Sequence, residues 1–299
     1  MSDAYEHLSP KTIEVIGSDI DTRIAYVREP RWISYSRAKL ALDRMKWLLD
    51  CPPSPRMPNM LVVGESNNGK SQLLRQFYRL FPADPGRNYS NSMIPVLIME
   101  LPAAPDEGRI YDEILSLLNA PFRHNDRVSK KQDMVAYYMN MVGVKMVLMD
   151  EMHHIAQATP RKQRECLNAI KLFGTQCQVS IVGAGVKEAM NVMGSDPQLS
   201  NRFEPFLLPK WTYSEDFLRL LASFERILPL KERSFLTEEK VAQRLLVLSE
   251  GLIGEVAMLL ARATEAALRE GKESLSYSHI DSAVWATPSE RKRVLERWH

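Results

Sequence analysis

Short apolar runs alternate with helical patterns over the first two thirds of the chain. Runs with few polar residues are typical of strands that are covered on both faces, and here they occupy residues 59–63, 95–99, 145–149, 178–183 and 206–208. Between them, apolar residues recur at helical spacing over 72–78, 111–118, 129–141 and 164–173. Strands that alternate with helices of this length predict an α/β fold, with a five-stranded parallel sheet and helices on both faces.

The strand pattern stops near residue 214. The apolar residues that follow recur at helical spacing over 217–227, 238–249, 255–270 and 278–285. Thr237 and Ser278 are predicted N-caps of two of these helices, and Gly271 is placed where a C-terminal glycine cap belongs. The pattern therefore predicts a small helical lid domain after the α/β core.

The residues before the first strand are less regular. Apart from a short helix near 10–16 they are polar up to about residue 35, and a longer helix is predicted over 35–49. The stretch 84–92 has the composition of a loop. The predicted organisation is an N-terminal segment (1–35), an α/β core (36–212), a helical lid (213–286) and a basic C-terminal tail (287–299).

Composition narrows the class of protein. Apolar residues make up 45% and charged residues 25% of the 299 positions, which is the balance of an ordinary globular protein. No run of eighteen apolar residues and no signal-peptide pattern is present, so we expect a cytoplasmic location and no membrane partner. The three cysteines lack metal-ligand spacing. A net charge of +2 allows a polyanionic partner only where basic residues cluster.

A phosphate-binding loop follows the first strand. The sequence GESNNGKS at 64–71 fits G-x-x-x-x-G-K-[ST], between a predicted strand and a predicted helix. In this motif backbone N–H groups surround the phosphates, Lys70 reaches the β- and γ-phosphates, and the Ser71 hydroxyl can ligate Mg²⁺. The alternative is a flexible surface turn. The predicted ATP-binding residues are Gly64, Glu65, Ser66, Asn67, Asn68, Gly69, Lys70, Ser71 and Gln72, with Asp150.

An acidic pair ends the third predicted strand. Asp150 is expected to hold Mg²⁺ together with Ser71, and Glu151 is expected to orient and activate the water that attacks ATP, as in a Walker B motif. The alternative is a pair of N-capping residues for the next helix. His153 and His154 follow; their spacing is not that of a known zinc motif, so they are interpreted as structural or solvated histidines, with zinc as the alternative.

These motifs together resemble an AAA+ ATPase. The likeness rests on the P-loop, the acidic pair, the helical lid and an Arg202-Phe203 pair between the fourth and fifth strands. In that class the arginine at this position reaches the γ-phosphate bound by a neighbouring subunit, so Arg202 is a candidate catalytic residue that acts in trans. The alternative is a surface arginine or one in an ion pair.

The resemblance sharpens to the TniB/TnsC family of transposition regulators. It covers about residues 20 to 285 and rests on WISYSRA at 32–38, RMPN at 56–59, GRIY at 108–111, LLNAP at 117–121 and GLIG at 251–254. The family likeness implies homo-oligomers, as rings or helical filaments, around duplex DNA. It implies two protein partners, a TniA-like DDE transposase and a TniQ-like target selector, and hydrolysis of ATP that drives disassembly.

Two positions depart from the AAA+ pattern. The polar sensor expected after the fourth strand is replaced by GAGV at 183–186, and Glu255 stands where a sensor arginine is expected in the lid. Both departures predict slow hydrolysis. The family likeness also implies that DNA contacts follow the second strand. Candidates, which could equally be solvated surface charges, are Arg109, Arg123, Arg127, Ser129, Lys130 and Lys131.

Two other functions fit the same motifs. A helicase loader or replication-initiation ATPase would bind a helicase or an origin in place of a transposase. A protein-remodelling ATPase would have no role with nucleic acid. A second basic stretch at 291–298 could contact DNA or a partner, or be a polar terminal helix.

Overall fold

The computed structural model describes residues 5–84, 93–282 and 285–298. The chain forms two compact units. One is Arg37–Pro209, and the other combines Met1–Ser36 with Lys210–His299. Most of the loop predicted over 84–92 lies outside the described residues.

A five-stranded sheet forms the centre of the first unit, as predicted. Its strands are β1 (Asn59–Gly64), β2 (Val96–Glu100), β3 (Met146–Asp150), β4 (Ser180–Gly185) and β5 (Phe203–Leu208). The spatial order is β2-β3-β4-β1-β5, and every neighbouring pair is parallel. Consecutive residues of β1, β3 and β4 are buried, so both faces of the sheet are covered. The carboxyl ends of all five strands meet at one edge.

Eight helices surround this sheet in the described part of the chain. They are α3 (Ser36–Asp50), α4 (Lys70–Leu80), α5 (Glu107–Leu117), α6 (Val128–Met141), α7 (His154–Gln157), α8 (Pro160–Thr175), α9 (Lys187–Gly194) and α10 (Pro197–Ser200). Their apolar sides fill the core with large side chains, among them the fully buried Phe77, Tyr111 and Phe173. The helical pattern of the sequence therefore corresponds to burial against the strands.

The second unit is helical. It contains α1 (Pro10–Ile16), α2 (Ile20–Arg28), α11 (Glu215–Glu225), α12 (Glu239–Ser249), α13 (Ile253–Arg269), α14 (Tyr277–Asp281) and α15 (Pro288–Glu296). The short helix near 10–16 is confirmed. The expectation of an irregular chain up to residue 35 is wrong, because α2 forms there and packs on α13.

Buried polar contacts attach α2 to the loops that follow α11 and α13. The Arg23 side chain is 5% exposed; its guanidinium donates to the backbone oxygen of Pro229 at 2.9 Å and pairs with Glu273. This pairing lowers the pKa of the Glu273 carboxyl against the opposing effect of burial. A polar residue thus occupies a buried position of α2, which is why apolar periodicity alone did not predict this helix.

Two predicted caps of the lid helices are wrong and one is confirmed. Ser276, not Ser278, caps α14: its hydroxyl accepts from the backbone N–H of His279, whose ring nitrogen in turn accepts from the Ser276 N–H at 3.0 Å. Helix α12 begins after Glu238 without a side-chain cap, so Thr237 lies one residue too early. Gly271 has φ of 71° just after α13, as a C-terminal cap requires.

Candidate functional site

The P-loop is a tight turn between β1 and α4. A Cβ added to Gly64 would lie 2.9 Å from the backbone oxygen of Leu208, so only glycine lets the loop leave the sheet at this point. Gly69 has φ of 85° and Asn67 has φ of 59°, both in the left-handed region. The loop is thus a preformed turn before the amino end of α4, and the alternative of a flexible surface turn is wrong.

Asn68 fixes this turn to the neighbouring strand. Its side chain is 2% exposed, and its amide nitrogen donates to the backbone oxygens of Leu208 at 2.8 Å and Pro209 at 3.1 Å. A buried amide that satisfies two carbonyls stabilises the loop, since either carbonyl would otherwise lose a partner. Asn68 occupies a variable position of the motif, so the pattern predicted it as a nucleotide neighbour and did not reveal its anchoring contact.

Lys70 lies beneath the loop. Its ammonium donates to the backbone oxygens of Gly64 at 2.9 Å and Glu65 at 2.8 Å. Burial lowers the pKa of Lys70, and the nearby carboxylates of Glu151 and Asp150 oppose that shift. The structure therefore brings the P-loop lysine and the acidic pair into one electrostatic environment, although they are separated by about eighty positions in the sequence.

The residues around the loop fit a nucleotide phosphate and its metal ion. The space over Gly64 accommodates no side chain, and the first turn of α4 presents backbone N–H groups beside a buried cation. Ser71 in that turn and Asp150 at the carboxyl end of β3 are both partly accessible, and they are the oxygen ligands that could hold Mg²⁺.

Glu151 has an unusual backbone. Its φ is 55°, a left-handed conformation that is uncommon for a residue other than glycine, and its N–H donates to Oδ1 of Asp150 at 2.9 Å. One carboxylate oxygen, Oε2, lies 3.0 Å from Nδ1 of His153. The acidic pair does not cap the next helix, because α7 begins at His154 and has no side-chain cap. The N-capping alternative is therefore wrong.

Gly183 and Gly185 of β4 lie against the segment that follows Glu151. A Cβ on Gly183 would lie 1.8 Å from Sδ of Met152, and one on Gly185 would lie 3.3 Å from the backbone nitrogen of His153. The Met152 N–H donates to the oxygen of Ala184 at 2.9 Å. The missing polar sensor thus has a packing reason, because Met152 fills the space beside this end of β4.

Two histidines, His153 and His154, lie beside the acidic pair. Nδ1 of His154 lies 2.8 Å from the backbone oxygen of Leu101, which follows β2. One ligand atom from each of Glu151, His153 and His154 falls within 4.8 Å of the others. The sequence spacing did not predict that these histidines group with Glu151. The left-handed backbone at Glu151 is consistent with this grouping of the three side chains.

Arg202 lies at the amino ends of the strands, opposite the edge of the sheet that carries the P-loop. Its backbone oxygen accepts from the N–H of Asn59, the first residue of β1, whereas the P-loop follows the last residue, Gly64. These edges are about 17 Å apart, since a strand rises about 3.3 Å per residue. Arg202 is half-buried and, with Arg56, lines a cleft of about 530 Å³. It is therefore not brought together with Lys70 and Glu151 of the same chain.

Five of the six residues predicted to contact DNA are exposed. A Cβ on Gly108 would lie 3.8 Å from Val128, so the amino ends of α5 and α6 meet. We call the exposed set around this junction the basic patch; it consists of Arg109, Arg123, Arg127, Ser129 and Lys130. Two of its cations have acidic neighbours, Lys130 with Asp126 at 2.8 Å and Arg109 with Asp106 at 3.8 Å.

Lys131 does not belong to that surface. Its side chain is 4% exposed, pairs with Asp112 of α5 at 2.7 Å and donates to the backbone oxygen of His124. The prediction that Lys131 contacts DNA is contradicted, because its ammonium is used inside the protein. Lys162 at the start of α8 is a cation that the sequence analysis missed; it lies 3.5 Å from Asp106, beside Arg109.

Within the described parts of the chain, no helix combines the length and the apolarity that a membrane span needs.

Comparison with known proteins identifies the family and the fold. Residues 23–213 match the family model described as Bacterial TniB protein. No curated protein matches the sequence. The chain is similar to solved structures of an ORC2 protein from Aeropyrum pernix (TM-score 0.61, 16% identity, covering 87% of this chain and 68% of that one) and of Cdc6p from Pyrobaculum aerophilum (0.60, 16%, 86% and 69%).

A third similar structure is the Aeropyrum pernix ORC1 protein in complex with DNA, with a TM-score of 0.56 and 16% identity over 91% of this chain and 69% of that one. At such identities the structures establish the fold alone. The family match covers more than half of the chain, and it agrees with the P-loop and the acidic pair described above. The chain therefore belongs to the TniB family, and its fold is that of the AAA+ ATPases.

Proposed function

We propose that this ATPase assembles on duplex DNA when it binds ATP and regulates transposition. In this proposal it recruits a TniA-like DDE transposase and a TniQ-like target selector, and hydrolysis of ATP returns the assembly to free subunits. The oligomer is inferred from the position of Arg202 at the edge of the sheet opposite the P-loop. There it lies close to Asn59 and remote from Gly64. The DNA partner rests on the basic patch, and the two protein partners rest on the family.

The chain's own residues have distinct roles in hydrolysis. Lys70 exchanges its two loop carbonyls for phosphate oxygens, and the amino end of α4 offers N–H groups to the same phosphates. Mg²⁺, held by Ser71 and Asp150, would neutralise negative charge on the phosphates. Glu151 orients the attacking water and accepts its proton. The imidazole of His153 lies 3.0 Å from that carboxylate and would have to move aside before Glu151 can hold the water, which is consistent with slow hydrolysis.

A neighbouring subunit completes the site in this proposal. Arg202 is too far from its own P-loop, so its guanidinium can stabilise phosphoryl transfer only at the P-loop of another copy. A contact that joins one edge of a subunit to the opposite edge of the next is heterologous, and such contacts generate rings or helical filaments. The cleft lined by Arg56 and Arg202 lies at the edge that would meet the neighbour.

The basic patch supports a backbone contact with DNA. Arg123 and Arg127 are exposed, and Arg109 and Lys130 have side chains that are 58% and 59% exposed. Cations on this surface can contact phosphates and position a duplex without reading its sequence. Among the similar structures, two are described as ORC proteins with DNA, one from Aeropyrum pernix and one from Drosophila, which is in keeping with a DNA partner for this fold.

The first experiment measures DNA binding together with the size of the assembly. Wild type, Lys70→Ala and Arg202→Ala are compared by sedimentation and by retention of duplex DNA, with ATP and Mg²⁺ or with ADP; Arg75→Ala, an exposed cation of α4, is the control. We expect large DNA-bound assemblies only with ATP, and only for wild type and the control. Binding of ATP without any retained DNA at low salt would contradict the DNA role and favour protein remodelling.

A second experiment identifies the partner. The ATP-bound assembly is incubated with a TniA-like transposase, a TniQ-like protein or a replicative helicase, and the bound fraction is measured on DNA beads. Retention of the transposase and the TniQ-like protein supports the proposal. Retention of the helicase alone would show a loader and would overturn the transposition role while leaving the ATPase intact.

A further inference from the structure

Glu151, His153 and His154 form a compact group beside the nucleotide site. One ligand atom from each lies within 4.8 Å of the others, and all three side chains are partly buried. A carboxylate and two imidazoles are the ligand set that divalent ions of the zinc class prefer, whereas Mg²⁺ prefers oxygen ligands alone. The group therefore differs in chemistry from the Ser71 and Asp150 pair that suits Mg²⁺.

The hydrogen bond of His154 leaves one ring nitrogen available. Its Nδ1 lies 2.8 Å from the backbone oxygen of Leu101, so Nδ1 carries the proton and donates, and Nε2 keeps its lone pair. Metal-binding histidines commonly donate their second ring N–H to a backbone carbonyl, which fixes the tautomer and the ring orientation. Leu101 in turn is held to the end of β3, since its N–H donates to the oxygen of Asp150 at 3.1 Å.

His153 brings its imidazole to the catalytic carboxylate. Its Nδ1 is enclosed by protein, makes no hydrogen bond within the described residues and lies 3.0 Å from Oε2 of Glu151. Ligand atoms around a tetrahedral zinc ion are about 3.3 Å apart, given bonds of about 2.0 to 2.2 Å. The Glu151 and His153 atoms are already close to that separation, and a ligand atom of His154 lies within 4.8 Å of both.

We propose that Glu151, His153 and His154 bind a divalent ion of the zinc class, with water as the fourth ligand, and that this ion inhibits ATP hydrolysis. The bound ion takes the carboxylate that would otherwise accept a proton from the attacking water. Lys70 and Ser71 are not ligands, so ATP still binds. The inhibitory effect rests on the proposed ATPase role of Glu151, whereas binding of the ion does not.

Binding is tested with Co²⁺ as a spectroscopic probe on nucleotide-free protein. We expect one equivalent to give the visible absorption of a tetrahedral site, and Zn²⁺ to displace it. In His154→Asn the asparagine amide can still donate to the Leu101 oxygen while the Nε2 ligand is lost, so Co²⁺ affinity should fall by at least about 100-fold. The matched control is His124→Asn, which removes an exposed histidine 3.3 Å from a carboxylate of Asp112.

Several outcomes would overturn the site. They are absence of a stoichiometric Co²⁺ spectrum, equal affinity in wild type and His154→Asn, and a thiolate charge-transfer band, which would place the ion on a cysteine. Folding of His154→Asn is checked by circular dichroism, and Glu151→Gln, which loses the carboxylate and not the histidines, is a second variant that should also lose the tetrahedral spectrum.

Inhibition is tested separately. With ATP and Mg²⁺ present, one equivalent of Zn²⁺ should lower the hydrolysis rate of wild type and of His124→Asn, while binding of a fluorescent ATP analogue stays unchanged. Each variant is compared with its own rate in chelator, and His154→Asn should respond to Zn²⁺ much less than wild type. A Co²⁺ spectrum without inhibition would refute the regulatory role. Absence of hydrolysis in every protein, with the spectrum intact, would refute the proposed ATPase role and leave the metal site standing.

Discussion

The sulfur of Met152 lies where a side chain on Gly183 would have to be. A Cβ on that glycine would be 1.8 Å from the methionine sulfur, and the methionine itself is fully buried. The end of β4 is therefore closed to the polar sensor expected of an AAA+ ATPase. The segment that carries Met152 continues directly from Glu151, so it lies between this part of β4 and the acidic pair.

Gly183→Ala should destabilise the protein. The added methyl group forces Met152 out of its position, and overpacking of a core costs about 1 to 3 kcal/mol in the free energy of unfolding. Denaturant unfolding of the nucleotide-free protein measures this cost. Gly194→Ala, where nothing lies within 4 Å of the added Cβ, is the control and should be near neutral.

The double variant Gly183→Ala/Met152→Ala separates overpacking from other causes. Met152→Ala alone should cost about 2 to 5 kcal/mol because it leaves a cavity. If the two side chains compete for one space, the double variant costs less than the sum of the single ones, since the new methyl group partly fills that cavity. Additive effects would contradict the packing explanation for the missing sensor.

The stability of the nucleotide-free protein should depend on pH through Lys70. Burial lowers the pKa of Lys70 below the ordinary 10.5. Between the folded value and 10.5 the unfolded chain binds more protons at this residue, so its contribution to the free energy of unfolding rises with pH in that window. Below the folded pKa the contribution is constant and unfavourable.

The measurement compares wild type with Lys70→Met by urea unfolding at neutral pH and near pH 10. Wild type should gain stability relative to the variant as the pH rises, because other titrating groups contribute equally to both. Lys272→Met, which removes an exposed lysine, should show no such change. A difference that stays constant or moves in favour of Lys70→Met would contradict the prediction.

Mixing two inactive variants tests whether Arg202 acts on a neighbour. Lys70→Ala and Arg202→Ala should each hydrolyse ATP very slowly, and loss of a trans-acting arginine should lower the rate by about 10³- to 10⁵-fold. In a random 1:1 mixture about one quarter of heterologous interfaces pair an intact P-loop with an intact arginine. Neither variant should form large assemblies alone, so these intact interfaces set an upper limit: hydrolysis in the mixture should rise well above that of either variant, to at most about a quarter of the wild-type rate. A mixture as inactive as its components, although sedimentation shows the two variants joined, would exclude action in trans.

Lys130 and Lys131 are adjacent and should behave in opposite ways. Lys130→Ala removes an exposed charge, so it should leave stability within about 0.5 kcal/mol and weaken DNA retention, with a smaller dependence of binding on salt concentration. Lys131→Ala leaves Asp112 without its buried partner and should cost about 3 kcal/mol in the free energy of unfolding.

Thermal unfolding and DNA retention at several salt concentrations distinguish these two variants. Arg109→Ala and Arg127→Ala should weaken DNA retention without loss of stability, as Lys130→Ala does. The double variant Arg109→Ala/Arg127→Ala should lose more affinity for DNA than either single variant. Equal loss of DNA binding from Lys130→Ala and Lys131→Ala, with both proteins fully stable, would contradict the internal role of Lys131.

The sequence by itself determined the features that depend on neighbouring residues. A strand, a glycine turn and a helix with Lys70 at its start form a local pattern, and Asp150-Glu151 ends a continuous apolar run. Such patterns can be recognised in the sequence alone, because the period of apolar residues and the conformational freedom of glycine depend on only a few neighbouring residues. The five-stranded sheet and the family resemblance followed from the same kind of information.

Only the tertiary structure decided which side chains face inward and which distant groups meet. Lys130 and Lys131 have the same chemistry, and packing against α5 and the segment after it buries Lys131 and leaves Lys130 exposed. Helix α2 is held in place by Arg23, whose guanidinium contacts Pro229 and Glu273 more than two hundred positions away in the sequence. The grouping of His153 with Glu151 depends on one left-handed backbone angle. Each of these depends on contacts between residues far apart in the chain or on an uncommon dihedral angle, and no local periodicity encodes either of them.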